Sequence, residues 1–99
     1  MPVIPVLRRV KPHDSVELTL DTGDTVAARV TDVDRARDER IRVGLASPRF
    51  DGRLRVTATR GFGEWRPAYL QRNALAEPAE EWSPVGEVVE AEIVGTAPA

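Results

Sequence analysis

Residues 16–30 constrain the fold of this chain more than any other stretch. Val16, Leu18 and Leu20 alternate with Glu17 and Thr19, and Val26, Ala28 and Val30 alternate with Ala27 and Arg29. A period of two places every second side chain on one face of an extended backbone, so each run reads as a half-buried strand. Asp21-Thr22-Gly23-Asp24 separates them. Asp bonds to its own following backbone and Gly takes positive φ without steric cost, so this segment reads as a turn. The two runs then form an antiparallel hairpin. Leu20 opposite Val26, Leu18 opposite Ala28 and Val16 opposite Val30 gathers the apolar side chains on one face, and this is the expected register. A β-branched residue at Gly23 is expected to disturb the hairpin most, because it resists positive φ.

The alternation continues downstream. Val33 is out of phase with Val26, Ala28 and Val30, and a bulge near Thr31-Asp32 would return it to the core. Asp34 to Glu39 is polar and mixed in charge, which predicts an exposed connection. Ile41, Val43 and Leu45 form the inward face of a third strand, with Arg40 and Arg42 outward. Ser47 to Gly52 holds Pro48 and Gly52 as breakers and reads as a turn. Leu54, Val56 and Ala58 then face inward, and Arg53, Arg55, Thr57 and Thr59 outward. The third and fourth strands make a second hairpin.

Arg60-Gly61-Phe62-Gly63-Glu64-Trp65 follows as a glycine-hinged aromatic loop. Residues 67–75 admit two readings: a short helix with Pro67 in its first turn, or an irregular strand. Glu77 to Pro84 is a polar linker interrupted by Trp82. In Val85 to Val94, Val89, Ala91 and Ile93 share one parity and Val88 and Val94 the other. Apolar residues on both parities suit a closing strand or an interface strand.

This spacing predicts an all-β fold: a small five-stranded, strongly bent antiparallel sheet or SH3-like barrel, with the short helix near residues 67–75 as an option. Residues 1–13, interrupted by Pro2, Pro5 and Pro12, are expected as an extended arm, residues 14–94 as a single barrel domain, and residues 95–99 as a frayed end.

Composition narrows the function classes. The chain has 99 residues and no cysteine, so its core draws on most of its apolar positions, without disulfides or thiolate metal sites. No apolar run reaches the roughly 18 residues of a membrane-spanning helix. The prolines and the late basic residues of the N-terminus do not fit a signal peptide, so a cytoplasmic location is expected. Net charge is −2, but residues 1–28 carry −1, residues 29–72 carry +5 and residues 73–99 carry −6. Thirteen of the fourteen basic residues are arginine, the better residue for bidentate phosphate or carboxylate contacts.

The run from Val16 to Asp34 resembles the first motif of Sm-like proteins: a strand, a glycine-containing turn, a second apolar strand, then an acid in the following loop. Gly23 matches the turn glycine, and Asp32 or Asp34 the loop acid. The resemblance covers about a fifth of the chain and departs from the family in lacking an Asn at the expected place after the acid, a clean second motif near the C-terminus and an evident N-terminal helix. It implies a small barrel of the Sm-like or SH3-like kind, and bears on the fold rather than on RNA binding.

Arg40, Arg42, Arg53, Arg55, Arg60 and Arg66 occupy one hairpin and the loop beside it, with Phe62 and Trp65. Arginines hold phosphates and aromatic rings stack on bases, so these eight residues are the candidate nucleic-acid site, for single-stranded RNA or DNA. Two other readings stand beside it. The arginines are a solvated strand face neutralised by Glu87, Glu90 and Glu92, with Phe62, Trp65 and Trp82 capping the barrel ends. Alternatively the last strand pairs with another protein or a second copy of the chain.

An enzyme is not expected. His13 is the only histidine and has no histidine or cysteine nearby in sequence. Asp32, Asp34, Asp38 and Glu39 lack EF-hand spacing and sit among Arg35, Arg37 and Arg40 as ion-pair partners, so neither a metal nor another cofactor is expected.

Overall fold

The computed structural model describes residues 2–36, 39–74 and 81–96. Alternation of apolar and polar side chains builds strands β1 (Ser15–Leu20), β2 (Thr25–Ala36), β3 (Arg40–Ala46) and β4 (Arg53–Gly61). A two-residue strand β5 (Glu64–Trp65), then β6 (Ala68–Asn73) and β7 (Ser83–Gly95) complete the sheet. Each barrel strand pairs with its chain neighbour, β7 returns to β1, and β3 pairs with β4. The result is a closed barrel of six antiparallel strands, β1-β2-β3-β4-β6-β7, with β5 as an extra strand beyond the end of β6. Closure pairs the strand edges that an open sheet would leave exposed.

All twelve side chains expected inward from the two hairpins, from Val16 to Ala58, are buried. Leu70, Val88 and Ala91 join them from β6 and β7. The first hairpin keeps the expected face in a different register: Val16 lies opposite Ala28 and Leu18 opposite Val26. The turn decides this. Gly23 N–H donates to Leu20 O at 2.9 Å and Leu20 N–H donates to Asp24 O at 2.8 Å. Gly23 has φ +92, the left-handed position of a tight hairpin loop with a glycine bulge. A two-residue slip preserves parity, so burial alone does not distinguish the two registers. The expected bulge is present: pairing shifts between Val30 and Asp32, and Val33 packs against the core.

Four further expectations are corrected. Asp34 to Glu39 is not all connection, because β2 runs through Ala36, with Asp34 opposite Arg42 and Ala36 opposite Arg40. Arg37 and Asp38 of that segment lie outside the described residues. Of the two readings of residues 67–75, the strand holds over 68–73 and the helix does not. That segment is β6, inserted between β4 and β7, which raises the barrel from five strands to six. Pro67 interrupts the strand, while Arg66 N–H donates to Thr59 O at 2.8 Å and carries the ladder across the break. Leu75, also placed in that segment, lies outside the described residues.

The N-terminal arm is not extended throughout, and an N-terminal helix exists: α1 (Val3–Leu7) buries Val6 and Leu7. Pro5 is its third residue, where the missing N–H would have had no intrahelical partner. Arg35 donates to Leu7 O at 2.9 Å and to Val10 O at 2.8 Å, tying the arm to the barrel. Finally, Gly95 belongs to β7 opposite Ser15 rather than to a frayed end. Residues 97–99 of that expectation lie outside the described residues.

β7 explains its two-parity pattern. It begins at Ser83, inside the expected linker, of which residues 77–80 lie outside the described residues. It pairs with β6 through its first half and with β1 through its second, and the register shifts where Leu20 meets Val88. Val88 and Ala91 therefore both face the core, while Val89 and Val94 remain 44% and 54% exposed. Among the described residues no helix is long and apolar enough to cross a membrane.

Candidate functional site

The hairpin β3–β4 aligns Val43 with Val56 inside the barrel, so their neighbours project from its outer surface. Arg42 and Arg55 both point outward, in adjacent rows: Arg42 lies opposite Thr57, and Arg55 opposite Gly44. Gly44 leaves a hollow in this face. The Asp32 carboxylate from β2 fills part of it, held by the Thr31 hydroxyl at 2.8 Å, so that a Cβ on Gly44 would overlap it. On the far side, Arg55 Nε donates to Gln71 Oε1 at 2.8 Å and Arg53 donates to Asn73 Oδ1 at 3.2 Å.

Trp82 covers these arginines. The Arg55 guanidinium carbon lies 4.0 Å from the Trp82 ring centroid and that of Arg53 lies 5.4 Å away. Asn73 fixes the approach of this segment by donating to the Glu81 carbonyl at 2.6 Å. Thr31, Asp32, Arg42, Gly44, Arg53, Arg55 and Trp82 together line a cleft of about 540 Å³. Partial burial, followed by the charges of Arg42 and Arg53, pushes the Arg55 guanidinium pKa down from its ordinary value. Arginine is not deprotonated in proteins, so Arg55 stays cationic despite this. Arg42 Nε is buried and has no hydrogen-bond partner among the described residues. The cleft therefore gathers three arginine side chains beside the Asp32 carboxylate.

The eight expected site residues divide. Arg42, Arg53 and Arg55 converge on the cleft. Arg40, in the next outward row, is engaged by Asp34 at 3.1 Å. Arg60, Phe62, Trp65 and Arg66 lie at the far end of β4. Arg60 pairs with Trp65 there, and five residues of strand put that pair about 17 Å from Arg55. Trp65 is half-buried and packs against the core beside that barrel end, whereas Phe62 is wholly exposed.

Two of the β7 acids, Glu90 and Glu92, do not reach the arginine ladder, while Glu87 lies opposite Tyr69 of β6, the strand beside β4. β7 lies opposite β3 in the ring, with Glu90 against Thr19 and Glu92 against Glu17 of β1. Nor does Trp82 cap a barrel end, because it lies over the outer face. Phe50 packs on the core instead, with Arg49 and Arg72 over its ring at 5.8 and 5.9 Å, and Arg72 also pairs with Asp51. Among the described residues, no three His, Cys, Asp or Glu side chains come together as metal ligands.

Sequence reasoning missed Trp82, Gln71 and Asn73 as members of the site. The one signal for Trp82 was a large aromatic residue inside an otherwise polar stretch. No family model, curated protein or solved structure matches the chain.

Proposed function

We propose that this protein is a non-enzymatic, cytoplasmic binding module that holds single-stranded nucleic acid on the outer face of β3–β4. The observation that carries the reading is the convergence of Arg42, Arg53 and Arg55 with Trp82 around one cleft. Guanidinium groups bind phosphates, and an aromatic ring beside them offers a stacking surface to bases without regard to sequence. Arginines crowded on one sheet face repel one another, and an anionic ligand relieves that repulsion.

Binding of labelled single-stranded RNA and DNA at low and moderate salt tests the reading. Affinity is expected to fall steeply with salt, as phosphate contacts require. It is also expected to fall about a hundredfold in Arg42→Glu/Arg55→Glu, the scale of losing two charge-assisted contacts. No binding at low salt, or equal binding by the double variant, would contradict it.

A second reading, a protein-binding or self-associating face on β7, rests on the exposure of Val89 and Val94. It predicts concentration-dependent sedimentation that Val89→Glu abolishes. A strict monomer that captures no specific partner counts against it.

A further inference from the structure

The tip of the β4–β5 hairpin is built against its own local preference. Gly61 pairs with Glu64, which leaves Phe62 and Gly63 as the turn. Both have positive φ, 53° and 82°. Such two-residue turns favour Asn-Gly or Gly-Gly, because a bulky L-residue at the first position is strained. Phe62 recovers nothing by packing, since its exposure is 102%. Arg60 leads into the turn, and the Arg66 guanidinium lies over Gly61, where an added Cβ would stand 3.3 Å from its Nε. A strained, fully exposed aromatic ring close to the Arg66 guanidinium suits a base-stacking residue.

The tip and the cleft share one surface. Thr57 and Thr59 continue the outward row of Arg53 and Arg55 along β4, and Tyr69 of β6 lies opposite Thr57 with 45% exposure. At about 3.4 Å per residue, Tyr69 stands about 7 Å along β4 from Arg55, and Phe62 about 17 Å beyond Tyr69. Glu87 lies opposite Tyr69 on its β7 side, and Glu64 flanks the turn. These acids bound the path and keep a polyanion on the β4 side. Asp32 bounds it at the cleft.

We propose that a single strand of nucleic acid runs along the outer face of β4, from Trp82 past Tyr69 to Phe62. Its phosphates would face Arg42, Arg55 and Arg66, and Phe62 would form a second stacking subsite that only longer oligomers reach. This inference rests on the reading of the arginine face as a nucleic-acid surface.

The test compares oligo(dT) and oligo(rU) of about 4 and about 16 nucleotides, the span of site sizes for small barrels of this kind. Both lengths are titrated against the wild-type chain, Phe62→Asn and Phe62→Trp. Phe62→Asn is expected to raise the unfolding midpoint, because Asn-Gly suits the turn. It is also expected to lower affinity for the long oligomer about tenfold while leaving the short one unchanged, and Phe62→Trp is expected to keep the long-oligomer affinity. Equal losses for both lengths, or no loss for either while the wild-type chain still binds, would overturn the second subsite and leave the cleft standing. Failure of the wild-type chain to bind either length would overturn the arginine-face reading and this inference together.

Discussion

The outer face of β3–β4 and the outer face of β1–β7 lie on opposite sides of the same barrel. Each crowds like charges onto neighbouring strands. On β1–β7, Glu17 stands directly opposite Glu92, both exposed, with Glu90 two residues away. On β3–β4, Arg42 and Arg55 occupy adjacent outward rows, with Arg53 two residues along. The difference lies in what surrounds the charges. The glutamates meet threonine, alanine and each other across the strands. Gln71 and Asn73 orient two of the arginines, Trp82 roofs them, and Gly44 leaves a hollow before them. The acidic face is charge alone, whereas the basic face adds orientation and a recess. The chain's net charge of −2 conceals this separation of sign.

Charge reversal is expected to separate the two faces most strongly. Arg42→Glu/Arg55→Glu is expected to weaken single-strand binding about a hundredfold. Glu17→Arg/Glu92→Arg, the matching reversal on the other face, is expected to leave it within about threefold, since that face lacks a stacking ring and a recess. A filter-binding or anisotropy titration of the two variants side by side checks this. Equal effects would mean that overall charge, rather than the cleft, governs binding.

Smaller substitutions sharpen it. Trp82→Ala removes the roof over Arg53 and Arg55, and is expected to cost about tenfold in affinity by the scale of base–aromatic stacking. It is also expected to cost about 1 kcal/mol in stability through the lost cation–π contacts. Affinity and urea unfolding of the same variant measure both. Asp32→Asn removes the acid that lines the cleft among the described residues. Binding is expected to tighten about threefold, the scale of a partly screened charge pair. Last, Glu92→Lys replaces a repulsive cross-strand pair with an attractive one, because Glu17 and Glu92 face each other directly. Urea unfolding is expected to show a gain of about 0.5 kcal/mol.

Much of the barrel was legible because period-two alternation and burial are the same fact seen along and across a strand. Val16 to Val30 and Ile41 to Ala58 reported their inward faces correctly for that reason. Features that alternation does not encode were lost. β6 offers a single strong core residue, Leu70, between Pro67 and the polar Gln71-Arg72-Asn73, so its strand identity comes from neighbours on both edges. The helix α1 was obscured by prolines that are harmless in a first turn. The site followed the same division. Arg42, Arg53 and Arg55 were readable as an outward face. Trp82, far away in sequence, reaches them only because β6 and β7 complete the ring. The eight-residue cluster therefore resolved into a cleft, an ion-paired Arg40 and a distant aromatic tip.

Backbone amide NMR of the labelled chain titrated with oligo(dT) tests the central claim most directly, because it reads both faces in one experiment. The predicted shifts fall on Asp32, Arg42, Gly44, Arg53 and Arg55 and on the Trp82 indole N–H, with β1 and the second half of β7 unmoved. Shifts centred on Glu17, Glu90 and Glu92, or none at saturating oligomer in low salt, would contradict it.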